Sequence, residues 1–479
     1  MTAELTVEPG AATGRTPAVV KLLVLATFVV ILNETIMMNA VPRLMEYWQV
    51  DEATAQWVST VFMLTMAAVI PITGWFLQRF STRQAFATAM TVFLLGTALA
   101  AVAPTFEVLL LGRVVQAAGT AVMMPLLMTT LMTVVPESDR GRVMGNVTMA
   151  IAVAPALGPT VSGVVLQFGS WRMLFVVVLP IAGAVTWLGL RRLQNIGEQQ
   201  AGNVDWLSVL VAAAGFGGLV YGLTLFSEGA GSLRPSATVV AGLALIGVFV
   251  LRQLRLQRSR GPLMDLRVLR SSTYLRALVL MSLAFMGMLG AMILLPLYLQ
   301  NIRDLSPLQT GLLVMPGGLA MGLLGPTVGR LFDRFGGRPL VIPASIAIVV
   351  SMIGFSQLSM TMPYWLLLAL HMVFMISLAA LFTPAFTLGL GALPPHLYSH
   401  GSSMLGTLQQ VAAAFGTALA VTVMTVQAAA LRADGVAEEL AQLSGIKAAF
   451  TVGAVISLVV VAIALVLPGR NPSQLNDRA

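Results

Sequence analysis

The chain of 479 residues is 57% hydrophobic and only 10% charged, with a mean hydropathy of +0.89; soluble domains carry about 25% charged residues, so a soluble fold is excluded. Zero cysteines exclude disulfides, thiolate metal sites and a cysteine nucleophile, and the three histidines, His371, His396 and His400, show no metal-ligand spacing. The net charge of +8 would suit nucleic acid, but the arginines gather in loops between apolar runs with no RNA- or DNA-binding motif, and no cofactor is implied.

Windows of about 20 apolar residues, the length that crosses a ~30 Å hydrocarbon core, predict fourteen spans. Six run from 19–41 through 54–77, 84–103, 106–135, 143–168 and 172–190. A Gln-rich connector and two shorter spans, 206–226 and 236–251, follow. After a basic connector, 252–276, come six more: 274–300, 308–332, 340–359, 363–388, 402–429 and 447–467. The first is too long, and too polar at Asn33–Glu34, for a cleavable signal.

Placing the N-terminus inside puts twenty of the 27 Lys and Arg in inward segments or span ends and six in outward ones, with Arg113 alone deep inside a span. That is a strong positive-inside bias, and it predicts both termini on the cytoplasmic side of a bacterial-type cell membrane. The basic connector reads as a topology determinant with some attraction to anionic lipid.

An internal repeat sets the architecture. Gly74-Trp-Phe-Leu-Gln-Arg79-Phe-Ser-Thr-Arg83 after the second span is echoed by Gly329-Arg-Leu-Phe-Asp333-Arg334-Phe-Gly-Gly-Arg338 after the tenth, an offset of 255 residues. Two parallel-repeat bundles handling substrate at their interface is a known transporter plan. The expected organisation is an all-α polytopic protein: a tail 1–18, a six-helix bundle 19–193, a linker with two inserted helices 194–273, a second six-helix bundle 274–469 and a tail 470–479.

Glu34 is the one acid deep inside a span. Bare charge costs about 3 kcal/mol there even on insertion scales, so such a residue is a functional candidate. It is expected to carry protons by shuttling between its two protonation states; a permanently paired structural acid is the alternative. Arg113 is expected either to tune or relay that proton or to clamp helices. Asn33, Gln116, Gln409 and Gln410 are candidate polar contacts for cargo, with Met37, Met38, Met123, Met124 and Met128 as adaptable apolar walls. His371 reads as an interior residue.

These residues resemble the major facilitator superfamily, and within it the fourteen-helix drug:proton antiporters. The second repeat fits the superfamily's G-x-L-x-D-R-x-G-x-R loop; Leu111-Gly112-Arg113-Val-Val-Gln116-Ala-Ala-Gly119 is similar to its buried-arginine motif. Ala154-Pro155-Ala-Leu-Gly158-Pro159-Thr-Val-Ser-Gly163 is similar to the G-P-x-x-G motif associated with exporters. Two departures stand out: Gln78 replaces the usual Asp of the first loop, with Ser81-Thr82 for Gly-Arg, and Asn33 takes the place of an Asp, with the acid one residue later. The Asn-Glu-Thr variant resembles a sub-branch of lincomycin-type exporters.

The resemblance implies a non-enzymatic, proton-coupled exporter of amphipathic drugs working by alternating access. Its partners would be small-molecule cargo, protons and lipid. Gly74, Arg79, Arg83, Gly329, Asp333, Arg334 and Arg338 would form gating loops; Pro155, Gly158, Pro159 and Gly163 would permit a bend and close helix approach. A dedicated transporter of one metabolite, lipid or siderophore remains the rival. A membrane-embedded enzyme would need more than one acid, one Arg and one His on separate spans.

Overall fold

The computed structural model describes residues 16–196, 204–227, 233–258 and 261–470. Fourteen helices among them are long and apolar enough to cross a membrane, and a fifteenth is short. The first half comprises α1 (Ala18–Ile36), the short α2 (Val41–Trp48), α3 (Glu52–Arg79), α4 (Thr82–Ala101), α5 (Phe106–Val134), α6 (Arg140–Phe168) and α7 (Arg172–Arg192). The insert is α8 (Trp206–Ser227) and α9 (Leu233–Leu256). The second half comprises α10 (Ser272–Asn301), α11 (Pro307–Phe335), α12 (Arg338–Ser356), α13 (Tyr364–Gly391), α14 (Tyr398–Ala433) and α15 (Glu438–Val466). This is the two-bundle plan with two inserted helices.

Two boundaries depart from the sequence reading. The first span stops being α-helical at Ile36 and passes through a 3-10 turn, Met37–Ala40, into α2. Pro42, near the start of α2, cannot donate to the preceding turn, so the chain tightens there. Glu34 therefore sits in the last turn of α1. At the far end, α14 and α15 run well past the predicted 402–429 and 447–467, meeting at a turn with Gly435 at φ 81°. Glu438 bonds Arg432 across that turn, and the polar extensions need not lie in lipid.

Ser81 and Thr82, which depart from the familiar loop pattern, have a local use. Ser81 caps α4 in a reciprocal capping box with Gln84, and Ser306 does the same with Gln309 at α11.

The halves meet along two seams. At one, α6 packs on α11; at the other, α3 packs on α14. Helix α8 lies against both α3 and α14, where Ala67, Ala414 and Ala418 meet Leu219, Val220 and Leu223. The insert is also bolted at its basic end. Arg252 donates two 2.7 Å bonds to Asp205, and Gln253 donates to Ser208 at 2.8 Å while accepting from the backbone N–H of Leu263 at 2.7 Å.

Candidate functional site

The buried arginine is reached by three helices of the first half. Arg113 is 1% exposed. Its Nε donates to the Val58 carbonyl at 3.2 Å, its Nη1 to Gln116 Oε1 at 2.5 Å and to Asn33 Oδ1 at 3.5 Å, and its guanidinium lies 4.1 Å over the Phe62 ring. Gln116 in turn donates to Thr97 Oγ1 at 2.7 Å. Small residues make this approach possible: a Cβ on Gly96 would overlap the backbone of Gln116, and one on Gly119 the carbonyl of Ala89. A buried charge needs such partners, and here all of them are neutral.

Glu34 is not among them. Asn33 takes the position facing Arg113, and Glu34 is one helical step, ~100°, further round; it interacts with Arg113 electrostatically without direct ion-pair contact. Thr35, one step further, bonds the Ala154 carbonyl of α6. Glu34 thus lies on the arc between the α5-facing and α6-facing sides of α1, and it is half-buried where Asn33 is closed off.

The cargo contacts divide. Asn33, Gln116 and Met37 are 1% exposed or less, as is Met123, so in this conformation they do not line open space. The first two are consumed in satisfying Arg113, a demand that outranks contact with cargo. Met128 is also buried. Met124, Gln409 and Gln410 are half-buried and remain accessible. The side chains of Met38 and Pro159 lie outside the described part.

At the end carrying the basic loops the halves are joined. Asp333 accepts from the backbone N–H of Gly141 at 2.8 Å and of Arg142 at 2.7 Å, so its carboxylate sits on the N-terminus of α6, where free donors and the helix dipole favour an anion. Glycines bring the two helices together: a Cβ on Gly141, Gly145, Gly325 or Gly329 would overlap the opposite backbone. Gly141-x-x-x-Gly145 and Gly325-x-x-x-Gly329 are small-x-x-x-small patterns, a signal that the sequence carries and that loop-motif reading passes over. Thr148 and Thr383 add a 3.0 Å bond between α6 and α13.

The α3–α14 seam uses neutral groups. Ser403 donates to the Ile70 carbonyl at 2.6 Å, Gln78 donates to the His396 carbonyl at 3.0 Å, and Gly74 lies under His400. Gln78, in place of the usual Asp, still bridges the halves, though without charge.

Of the remaining loop residues, Arg334 and Arg338 bond within their own half, while Arg79 also interacts electrostatically with His400 of the other half. Arg338 donates to the Leu467 carbonyl at 3.0 Å, the Arg334 carbonyl accepts from Arg470, Arg79 lies over Trp75, and Arg83 is exposed. In the exporter-like segment, Pro155 is half-buried and Gly158 presses on Thr35. Gly163 departs from expectation: a Cβ there would meet nothing within 4 Å, so it mediates no close approach.

The hydrogen bonds Gln78–His396, Thr129–Ser402, Asp333 to Gly141 and Arg142, Thr148–Thr383 and Ser403–Ile70, which join the two halves, fall in the basic-loop half of the helices. Along α6 the close approaches made at glycines run from Gly141 to Ala156, which lies 3.4 Å (Cβ to Cβ position) from Gly318, a length of roughly 22 Å at 1.5 Å per residue. Glu34 stands near the level of Ala156, since its neighbour Thr35 abuts Gly158.

Comparison with known proteins agrees with this construction. Residues 23–417 match the model of the Major Facilitator Superfamily. The chain is 39% identical over 442 residues to an uncharacterised MFS-type transporter, YcnB, of Bacillus subtilis (strain 168), covering 92% of this chain and 93% of the relative. It is 38% identical to the lincomycin resistance protein LmrB of Listeria monocytogenes, covering 91% and 93%. Among solved structures, the human organic anion transporter MFSD10 superposes with a TM-score of 0.68 at 14% identity, covering 94% of this chain and all of that one. A polytopic two-bundle protein matched along most of its length is a membrane transporter and not an enzyme, and this chain belongs to the Major Facilitator Superfamily.

Proposed function

We propose that the protein is a proton-coupled antiporter that exports amphipathic drugs or similar compounds across the bacterial cell membrane by alternating access. The observation that carries this reading is the placement of Glu34: an acid in the last turn of the apolar helix α1, half-buried, beside a cation that other groups already satisfy, close to the level of the Ala156–Gly318 approach between the halves. An acid locked in an ion pair could not take up a proton cheaply, whereas one left out of the Arg113 network is free to load and release. Residues 19–193 and 274–469 act as the two rocking bodies. Both termini lie in the cytoplasm, the basic-loop seams form the inner gate, and Asp333 holds it shut. Met124, Gln409 and Gln410 are the proposed cargo contacts, and Asn33, Gln116, Met37 and Met38 join them only in a conformation that loosens the Arg113 network.

The name of the lincomycin-resistance relative supports a drug-like cargo. A dedicated exporter of one metabolite would share every feature of the Glu34 site and is separated by competition from unrelated drugs. The test is transport in proteoliposomes under an imposed pH gradient, following lincomycin alongside internal pH. Wild type should move the two in opposite directions, and Glu34→Gln should lose both fluxes by at least ~10-fold. Co-directional movement would make the protein a symporter, and wild-type flux through Glu34→Gln would remove the acid from the mechanism.

A further inference from the structure

Thr35, directly after Glu34, joins two parts of the molecule that the proposed cycle must connect. Its single hydroxyl proton has three carbonyls within reach: Leu32 at 3.0 Å and Ile31 at 3.3 Å within α1, and Ala154 of α6 at 3.4 Å. Gly158 lies on the same residue: a Cβ there would overlap Thr35 Oγ1 and come within 2.7 Å of its Cβ. The fit therefore requires glycine on one helix and a small hydroxyl side chain on the other.

The turn of α6 that receives Thr35 is weakly braced by its own ladder. Pro155 and Pro159 have no N–H, so the carbonyls four residues before each, Ile151 and Pro155, lack their helical donors. On its opposite side the same turn faces the second half, where a Cβ on Gly318 would be in van der Waals contact with Ala156. A displacement of α1 at Thr35 is thus delivered to a segment that deforms readily and that takes part in the α6–α11 seam.

We infer that Thr35 is a positioning residue that transmits the protonation state of Glu34 to the α6–α11 seam through Ala154 and Gly158. The inference rests on the antiport reading. Losing or gaining charge at Glu34 changes where that side chain is best solvated, and the adjacent Thr35 turns with it, since both belong to one helical turn.

The natural absence of cysteine permits a test that needs no cargo. Thr148→Cys places a thiol in the closed inner seam, and its labelling by a maleimide reports opening. Rates at pH 5.5 and pH 8 are normalised to Glu439→Cys, an exposed position, to remove the thiol's own pH dependence. Read in an Asp333→Asn background, so that the seam's own carboxylate cannot titrate in place of Glu34, the reporter should change its normalised rate by at least ~5-fold between the two values, and adding Glu34→Gln should flatten it. Thr35→Val, which keeps the shape and removes the hydroxyl, should flatten it equally, while Thr35→Ser retains it. Gly158→Ala should flatten it by forcing the helices apart.

Full pH dependence in both Thr35→Val and Gly158→Ala would overturn the inference and leave the antiport reading standing. A reporter with no pH dependence before any change at Thr35 would overturn the antiport reading and this inference with it. Should Thr35→Val fail to fold, Thr35→Ser and Thr35→Ala decide: loss in both, or retention in both, removes the role assigned to the hydroxyl.

Discussion

The two seams between the halves do the same task with different chemistry. Between α6 and α11 the helices touch backbone to backbone through glycines, and a carboxylate locks the end onto a helix N-terminus. Between α3 and α14 the contacts are a serine, a glutamine and a glycine under a histidine, all formally neutral, backed by α8 from the membrane side. Backbone contact without side chains leaves nothing to yield, so the first seam is either fitted or apart. Side-chain contact can slide, and the second seam has a third helix to slide against. The lesson is that the repeat does not make the halves equivalent: the motif that is degraded in the first half is replaced there by packing with the insert.

The largest test of this contrast is a bulky residue in each seam. Gly145→Val drives side-chain atoms into the Gly325 backbone; overpacking costs ~1–3 kcal/mol or more, and here it should hold the seam open, with transport falling ~100-fold and Thr148→Cys labelled freely. Gly74→Ala meets first the His400 ring at 2.8 Å, which can turn away, and the His400 Cα only at 3.2 Å, a tight contact short of overlap, so transport should fall less than ~5-fold. Equal losses would erase the distinction.

Asp333→Asn is the intermediate case. It keeps the shape but removes the charge from the α6 N-terminus, worth ~1–2 kcal/mol. The inner seam should open ~5–30-fold more often, read from the same thiol. An unchanged rate would mean that the glycine contact alone closes the gate.

The smallest effect concerns the insert. Asp205 is held down at about 2, chiefly by its bonds from Arg252, below the ordinary ~3.9 of a free aspartate. A lowered folded-state value gives stability that is complete above pH ~4 and is lost as pH falls towards 2. The attachment of α8–α9 should therefore loosen only in that acid window. At neutral pH Asp205→Asn should cost about 1 kcal/mol, seen as a small drop in melting temperature with transport retained. Lost transport would show that the insert works in gating as well as packing.

Much of this architecture was legible in the sequence because a bilayer imposes one length and one polarity on every span. The repeat pointed to the two bundles, and Asn33, Glu34, Arg113 and Gln116 were all marked by polarity in an apolar setting. What composition could not supply was which of two adjacent polar residues faces the arginine, since one residue is a rotation of ~100° and the answer depends on where α5 lies. The same limit applies to Gln116, which polarity alone places equally well in a cavity or on a buried cation. The span 19–41 was too long because hydropathy does not register the missing donor at Pro42, and Gly163 was misjudged because a glycine's spacing does not reveal whether a neighbour is present. Thr35 carried no polarity signal strong enough to stand out beside Glu34.

The neutral surroundings of Arg113 have an electrical consequence. With neither Asn33 nor Gln116 able to ionise, the site holds a cation and an anion when Glu34 has lost its proton, and a bare cation when Glu34 has gained one. In the proposed cycle the proton-bearing form is therefore the one with net charge, and with neutral cargo the membrane voltage acts on that limb alone. At ~2.3 kcal/mol per charge per 100 mV, this could sustain about a 50-fold concentration ratio even with no pH difference across the membrane.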